Sequence, residues 1–146
     1  MSDITSQQLV VFSLGSEEYA LPIGAVHEII RYTEPRTVAS DAAWIRGVIG
    51  LRGKIIPIFD LAARMALENP GSEPGKIVIV ESGTGQVGVM VDEVEEVLTV
   101  SAEQLENVPS ASSDAIEAIA KIDDRLVILL NPAGLFARAS EDLAAA

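Results

Sequence analysis

Catalysis needs a nucleophile, an acid–base pair, a metal cage or a phosphate cradle, and this chain has few residues able to supply them. His27 is the only histidine, so any imidazole base or ligand would act alone. There is no cysteine, which removes thiol nucleophiles, disulfides and thiolate metal ligation. No serine stands in a G-x-S-x-G setting. Asp92, Glu93, Glu95 and Glu96 form an acidic cluster without the alternating ligands and glycine of a calcium loop, so a solvated face is expected and no metal. Asp123 and Asp124 read as a hairpin turn. Gly47, Gly50 and Gly53 recur at every third position, which is neither a dinucleotide fingerprint nor a P-loop. No catalytic residue and no cofactor is predicted. What remains is Arg52, one of seven arginines, at the end of an apolar strand thinly covered by glycines. That combination suits docking of a partner.

The elements that hold Arg52 come in duplicate. Residues 45–60 read IRGVIGLRGKIIPIFD and residues 116–131 read IEAIAKIDDRLVILLN, an offset of 71 (116 minus 45). Val26-His27-Glu28-Ile29-Ile30 matches Val94-Glu95-Glu96-Val97-Leu98 at an offset of 68 (94 minus 26). Both offsets are near half of 146 residues, which predicts two related β-rich halves, 15–68 with the chain ends and 76–131. Strands are expected at 8–14, 18–21, 47–51, 54–59, 76–81, 86–91, 116–122 and 126–130, with residues 37–38 as a further short one. Ile23, Val26, Ile29 and Ile30 have helical spacing, so 23–30 is expected to be helical or partly so. Pro57 within a strand predicts an edge or a bulge. Asp60 should cap a helix at 61–67, Asp41 a helical turn at 41–44 and Ser101 another at 101–104. Residues 68–75 carry two Pro and two Gly and form the candidate boundary, 107–114 a polar loop, 132–138 a closing helix and 139–146 a flexible tail. Many short strands with little helix point to small barrels.

Composition narrows the partners. Hydrophobic residues make up 49% of the chain, enough for a packed core, yet no apolar run approaches the ~18 residues of a membrane helix. The first residues lack a secretory pattern. With 22 acids against 10 bases the net charge is −12, which disfavours nucleic acid and anionic membranes. The acidity reads as solubility or salt adaptation, or as a surface matched to a basic partner.

Three blocks carry a specific resemblance. Val11-Phe12-Ser13-Leu14-Gly15 runs on through Glu17-Glu18-Tyr19 to Val26 and Glu28-Ile29. The R-G-V-x-x-L-R-G-x-I-x-P-I-x-D-L block runs from Arg46 to Leu61, and V-G-x-x-V-D-x-V from Val87 to Val94. Together they resemble the CheW family of chemotaxis coupling proteins over nearly the whole chain. The resemblance implies a mainly β fold of two five-stranded SH3-like barrels related by pseudo-two-fold symmetry, with short helices, in a single domain at 8–138. It implies no enzyme activity, metal or cofactor. It implies a cytoplasmic adaptor, recruited to membrane-associated arrays without inserting into the membrane. Its partners would be the cytoplasmic tip of methyl-accepting chemoreceptors and the regulatory domain of the chemotaxis histidine kinase. Arg52 matches the family's functional arginine, and Val26, Glu28 and Gly47 match coupling positions. Val87, Gly88 and Val89 would line the groove between the barrels. The hairpin carrying Arg46, Ile56 and Ile58 would face the kinase. Gly50 departs from the Asn common before L-R-G. A scaffold of a gliding or pilus pathway, or a detached kinase regulatory domain, is compatible with the same motifs.

Overall fold

The computed structural model describes residues 6–37, 45–64, 74–81, 85–107 and 115–135. The strands are β1 (Ser6–Leu14), β2 (Glu17–Pro22), β3 (Val26–Arg31), β4 (Ile45–Leu51), β5 (Lys54–Asp60), β6 (Lys76–Glu81), β7 (Gln86–Val91), β8 (Glu93–Ser101), β9 (Leu105–Asn107), β10 (Ile116–Ile122) and β11 (Arg125–Leu130); α1 is Leu61–Arg64. One sheet has the order β3-β6-β7-β5-β4 and the other β8-β1-β2-β11-β10-β9.

The duplication read from the sequence is a duplication of backbone geometry, down to its irregularities. His27 is the extra residue where β3 pairs with β6, and Glu95 is the extra residue where β8 pairs with β1, 68 positions later. Arg46 and Glu117 are the extra residues of β4 and β10, 71 positions apart. Among the described residues two that are not glycine have positive φ, Arg52 at 51° and Asp123 at 55°, and these are also 71 apart. Such bulges bend a strand and sharpen its twist, as closing a small barrel requires.

Sheet membership exchanges the hairpins between repeats and so cuts across the halves expected at 15–68 with the chain ends and at 76–131. The β1–β2 hairpin pairs with β8 and, in parallel, with β11. The β6–β7 hairpin pairs with β3 and, in parallel, with β5. One barrel is therefore continuous in sequence, β3 to β7, and the other is composite. Each edge strand leads through a short connection to the opposite edge. β8 runs through a 3-10 turn at Ala102–Gln104 into β9, which pairs with β10. β3 runs on to Arg36, which bridges Val48 of β4. Among the described residues, the six strands of one sheet against five in the other reflect the length of this closing pair, a three-residue strand against a bridge.

Alternation sorts the side chains. Leu9, Val11, Ala20, Val127 and Leu129 fill the composite barrel, and Ile56, Ile58, Ile77 and Ile79 the continuous one. Phe12, Tyr19, Leu21, Val78, Val87, Val89 and Leu130 pack between the two barrels.

The helical expectation for 23–30 is corrected: a 3-10 turn at Ile23–Ala25 leads into β3. Val26, Glu28 and Ile30 are half-buried while His27, Ile29 and Arg31 are exposed, so the period is two. Ladder pairing of these β-branched residues with β6 wins over the coincidental helical spacing. Pro57 behaves as an edge residue inside a central strand. Its partner Val48 directs both backbone groups at Arg36, with bonds of 2.8 and 2.9 Å, and the β5–β7 ladder starts only at Ile58. The missing N–H thus costs no ladder bond. The Asp60 Oδ1 accepts from the Ala63 N–H at 3.2 Å at the start of α1. Gln104 Oε1 accepts from the Ser101 N–H at 2.8 Å, capping the 101–104 turn. Residue 38, the turn at 41–44, most of the 68–75 segment, the 108–114 loop and the 139–146 tail lie outside the described residues.

Candidate functional site

The β4–β5 hairpin turns through Arg52 and Gly53, both at positive φ, and this left-handed turn aims Arg52 across the end of the barrel. Its guanidinium donates to both carboxylate oxygens of Glu28 on β3, Nη1 to Oε1 and Nη2 to Oε2 at 2.9 Å. Since β3 and β4 are opposite edges of one sheet, the pair spans the barrel seam. The Arg52 bond, more than the nearby charge, holds the Glu28 carboxyl below the ordinary range, and the Glu28 bond raises the Arg52 guanidinium. His27 stands beside this pair, Nε2 3.8 Å from Glu28 Oε1 and Nδ1 3.6 Å from Glu81 Oε2. Arg52 keeps 68% of its side chain in solvent, against 22% for Glu28. One carboxylate therefore orients the cation while leaving it open to a second. Three residues on, Ile55 is 76% exposed, between a hollow lined by Thr33, Arg36 and Val48 and another lined by Lys54, Glu81 and Gln86.

The other residues singled out in the sequence fall in different places. Val26 is half-buried against the apolar cluster between the barrels. Gly47, at φ 150°, admits the Arg36 backbone: a Cβ there would lie 2.1 Å from the Arg36 carbonyl oxygen. Val87 and Val89 do not line an open groove; they are buried in the packing between barrels. Gly88 lies beneath Ile58 and Ile77. A partner cannot reach these three residues while the barrels stay packed. Ile56 and Ile58 point into the continuous barrel and are 1% and 0% exposed, so Arg46 is the only accessible member of the expected kinase-facing trio. The outward aliphatic of that hairpin is Ile55. With Ile56 and Ile58 inward, strand alternation already assigns Ile55 to the surface.

The composite barrel has its own tie across the edge, which sequence reading missed. Arg125 bonds Glu18 of β2 through Nε and Nη2, both at 3.0 Å, and Glu96 of β8 through Nη1 at 2.9 Å. The available signal was the repeat itself, since Glu96 is Glu28 plus 68. Within the acidic cluster, the Asp92 Oδ2 accepts from the Gly15 N–H at 2.7 Å and so ties the link between β7 and β8 to the β1–β2 turn. Among the described residues no three acidic, His or Cys side chains gather to hold a metal, and no helix is long and apolar enough to cross a membrane.

A family model described as the CheW-like domain matches residues 8–140. The chemotaxis protein CheW of Klebsiella aerogenes is 32% identical over 88% of this chain and 81% of its own length. That of Bacillus subtilis is 31% identical over 87% and 85%. Protein PilI of Pseudomonas aeruginosa is 32% identical, but over 57% of this chain and 47% of its own length. The crystal structure of the scaffolding protein TtCheW from Thermoanaerobacter tengcongensis superposes with a TM-score of 0.82 at 36% identity, covering 89% of this chain and 92% of that one.

Proposed function

The chain belongs to the family of CheW-like domains, and from that premise we propose that it is a non-enzymatic adaptor joining the cytoplasmic tip of chemoreceptors to the regulatory domain of the chemotaxis histidine kinase. The observation that carries this reading is the Arg52 face: a mostly exposed guanidinium, oriented by Glu28 and neighboured by Ile55. A receptor helical hairpin would place a carboxylate on Arg52 and an apolar side chain against Ile55. The Arg46-bearing hairpin offers the kinase its outer surface, not Ile56 or Ile58. Control of the kinase is then a population shift, to which the adaptor contributes only by its differential affinity for two kinase states. Individually weak contacts gain avidity in a membrane-associated array, where a cytoplasmic adaptor would gather. The chemotaxis assignment is favoured over a pilus or gliding scaffold by coverage, since the CheW relatives align over most of both chains and PilI over less than half of its own.

Amide chemical-shift titration of labelled protein tests this, first with a receptor-tip fragment and then with the kinase regulatory domain. The expected result is one shifted patch around Arg52 and a second on the outer face of the continuous barrel. Retention of full receptor affinity in Arg52→Ala would refute the assignment of Arg52, and silence with both partners the adaptor reading as a whole.

A further inference from the structure

The composite barrel carries a second copy of the Arg52 face with its charge reversed. Four of the five large hydrophobic side chains exposed among the described residues form two equivalent pairs: Ile29 with Val97, 68 apart, and Ile55 with Leu126, 71 apart. Glu28 has its counterpart in Glu96, and each glutamate binds an arginine of the facing hairpin. The two hairpin turns share one backbone conformation, with φ 51° at Arg52 and 55° at Asp123. They differ in what they display. The continuous barrel presents Arg52-Gly53-Lys54; the composite barrel presents Asp123-Asp124-Arg125. Arg125 is paired with two carboxylates, with contacts at 3.0 Å to Glu18 and 2.9 Å to Glu96, so the cation of this turn is already engaged by acid.

An acidic helical segment that accepts Arg52 and Ile55 would find Leu126 at the position of Ile55 on the other barrel. There it would meet two carboxylates in place of a cation. We infer that Asp123 and Asp124 are specificity determinants: by repulsion they deny the composite barrel to the carboxylate-bearing partner and make docking one-sided, one partner per chain. Discrimination between two similar surfaces needs such a repulsive element as well as an attractive one. The inference rests on the reading of the Arg52 face as the docking site.

The test is the binding stoichiometry of a receptor-tip helical-hairpin fragment, measured by calorimetry and sedimentation. The wild-type chain should bind one fragment, and Arg52→Glu none. The combined substitutions Asp123→Arg, Asp124→Gly and Arg125→Lys transplant the basic turn and should raise the stoichiometry to two, with one site surviving Arg52→Glu. Since Arg125→Lys weakens the ties to Glu18 and Glu96, a milder pair, Asp123→Asn with Asp124→Gly, keeps Arg125 and should strengthen the latent site about tenfold, the scale of removing close like-charge contacts at a surface. If both variants, folded by their amide spectra, still bind one fragment and lose it with Arg52→Glu, the inference is overturned while the adaptor reading stands. If the wild-type chain binds no fragment, both fall.

Discussion

The two barrels follow one plan and fill it differently. Leu9, Val11, Ala20, Ala118, Ala120, Val127 and Leu129 of the composite barrel occupy the positions of Ile77, Ile79, Gly88, Gly47, Ile49, Ile56 and Ile58 in the continuous one. The composite interior is even in size, with alanines at three of these places. The continuous interior pairs large isoleucines with glycines: the Ile58 Cδ1 and Ile77 Cγ2 occupy the space where a Gly88 side chain would stand. Architecture tolerates both solutions because the volume to be filled, not the identity at each point, is what packing specifies. The barrel with the docking turn is thus the one whose glycines cannot be exchanged freely, and, among the described residues, the one closed by a bridge at Arg36 where the other has a three-residue strand.

The largest asymmetry should appear at Gly47 and its counterpart Ala118. Gly47→Ala puts a Cβ 2.1 Å from a backbone oxygen at φ 150°, a contact that no side-chain adjustment relieves. Little folded protein is expected, read as loss of a cooperative denaturation transition. Ala118→Gly should cost only about 1 kcal/mol in the same assay. Equal effects at the two positions would break the claim that the barrels differ here.

Next in size is Gly88→Ala. Its added Cβ would fall 2.6 Å from the Ile58 Cδ1, the end of a flexible side chain, and 2.8 Å from the Ile77 Cγ2, a β-branch methyl that moves only with χ1. Overpacking of this kind costs about 1–3 kcal/mol. Ile58→Val deletes the nearer atom, so the double variant should be more stable than the sum of the single effects predicts. Strict additivity would show that the site is roomier than the geometry says.

These contrasts mark what could be read in advance. The duplication, most strands, the two tight turns and the cap at Asp60 follow from local patterns, and the two SH3-like barrels related by pseudo-two-fold symmetry follow from the family motifs. The exchange of hairpins does not, because pairing of β1 with β8 and of β2 with β11 joins residues far apart in sequence, with no local trace. Burial of Val87, Gly88 and Val89 was equally hidden. A strand covered on both faces loses alternation and reads as a uniform apolar run, so neither face can be assigned to a partner. At the candidate site, Arg52 and Glu28 were each singled out, but their meeting depends on closure of the barrel seam.

The arginine ties sharpen the comparison with smaller effects. Arg52→Ala and Arg125→Ala both open an edge contact, and both side chains are solvated enough that screening keeps stability changes small. Function should separate them. Arg52→Ala is expected to weaken binding of a receptor-tip fragment about tenfold or more, the loss of one buried charge-assisted bond. Arg125→Ala should leave that affinity within about twofold, since Arg125 is engaged with Glu18 and Glu96 on the other barrel. Equal losses would mean that the fragment docks on both barrels.

The smallest expected effect is also the most direct probe of the seam. Glu28 is held below the ordinary carboxylate range chiefly by its bond from Arg52. Its folded-state value is thus lower than its unfolded one, about 4.3. The stability it contributes is fully present above the unfolded value and is lost as pH falls through the folded value, so the loss belongs to the acid side of pH ~4. A carbon-detected titration of the side-chain carboxyl should show Glu28 titrating below the ordinary carboxylate range, and Arg52→Ala should move it back up toward that range. The change in acid stability between the two proteins should be confined to the same pH interval, because above it both carry an ionised Glu28 and differ only by a pH-independent amount. A midpoint unchanged by Arg52→Ala would mean that the seam is open in solution and that Glu28 does not orient the cation offered to a partner.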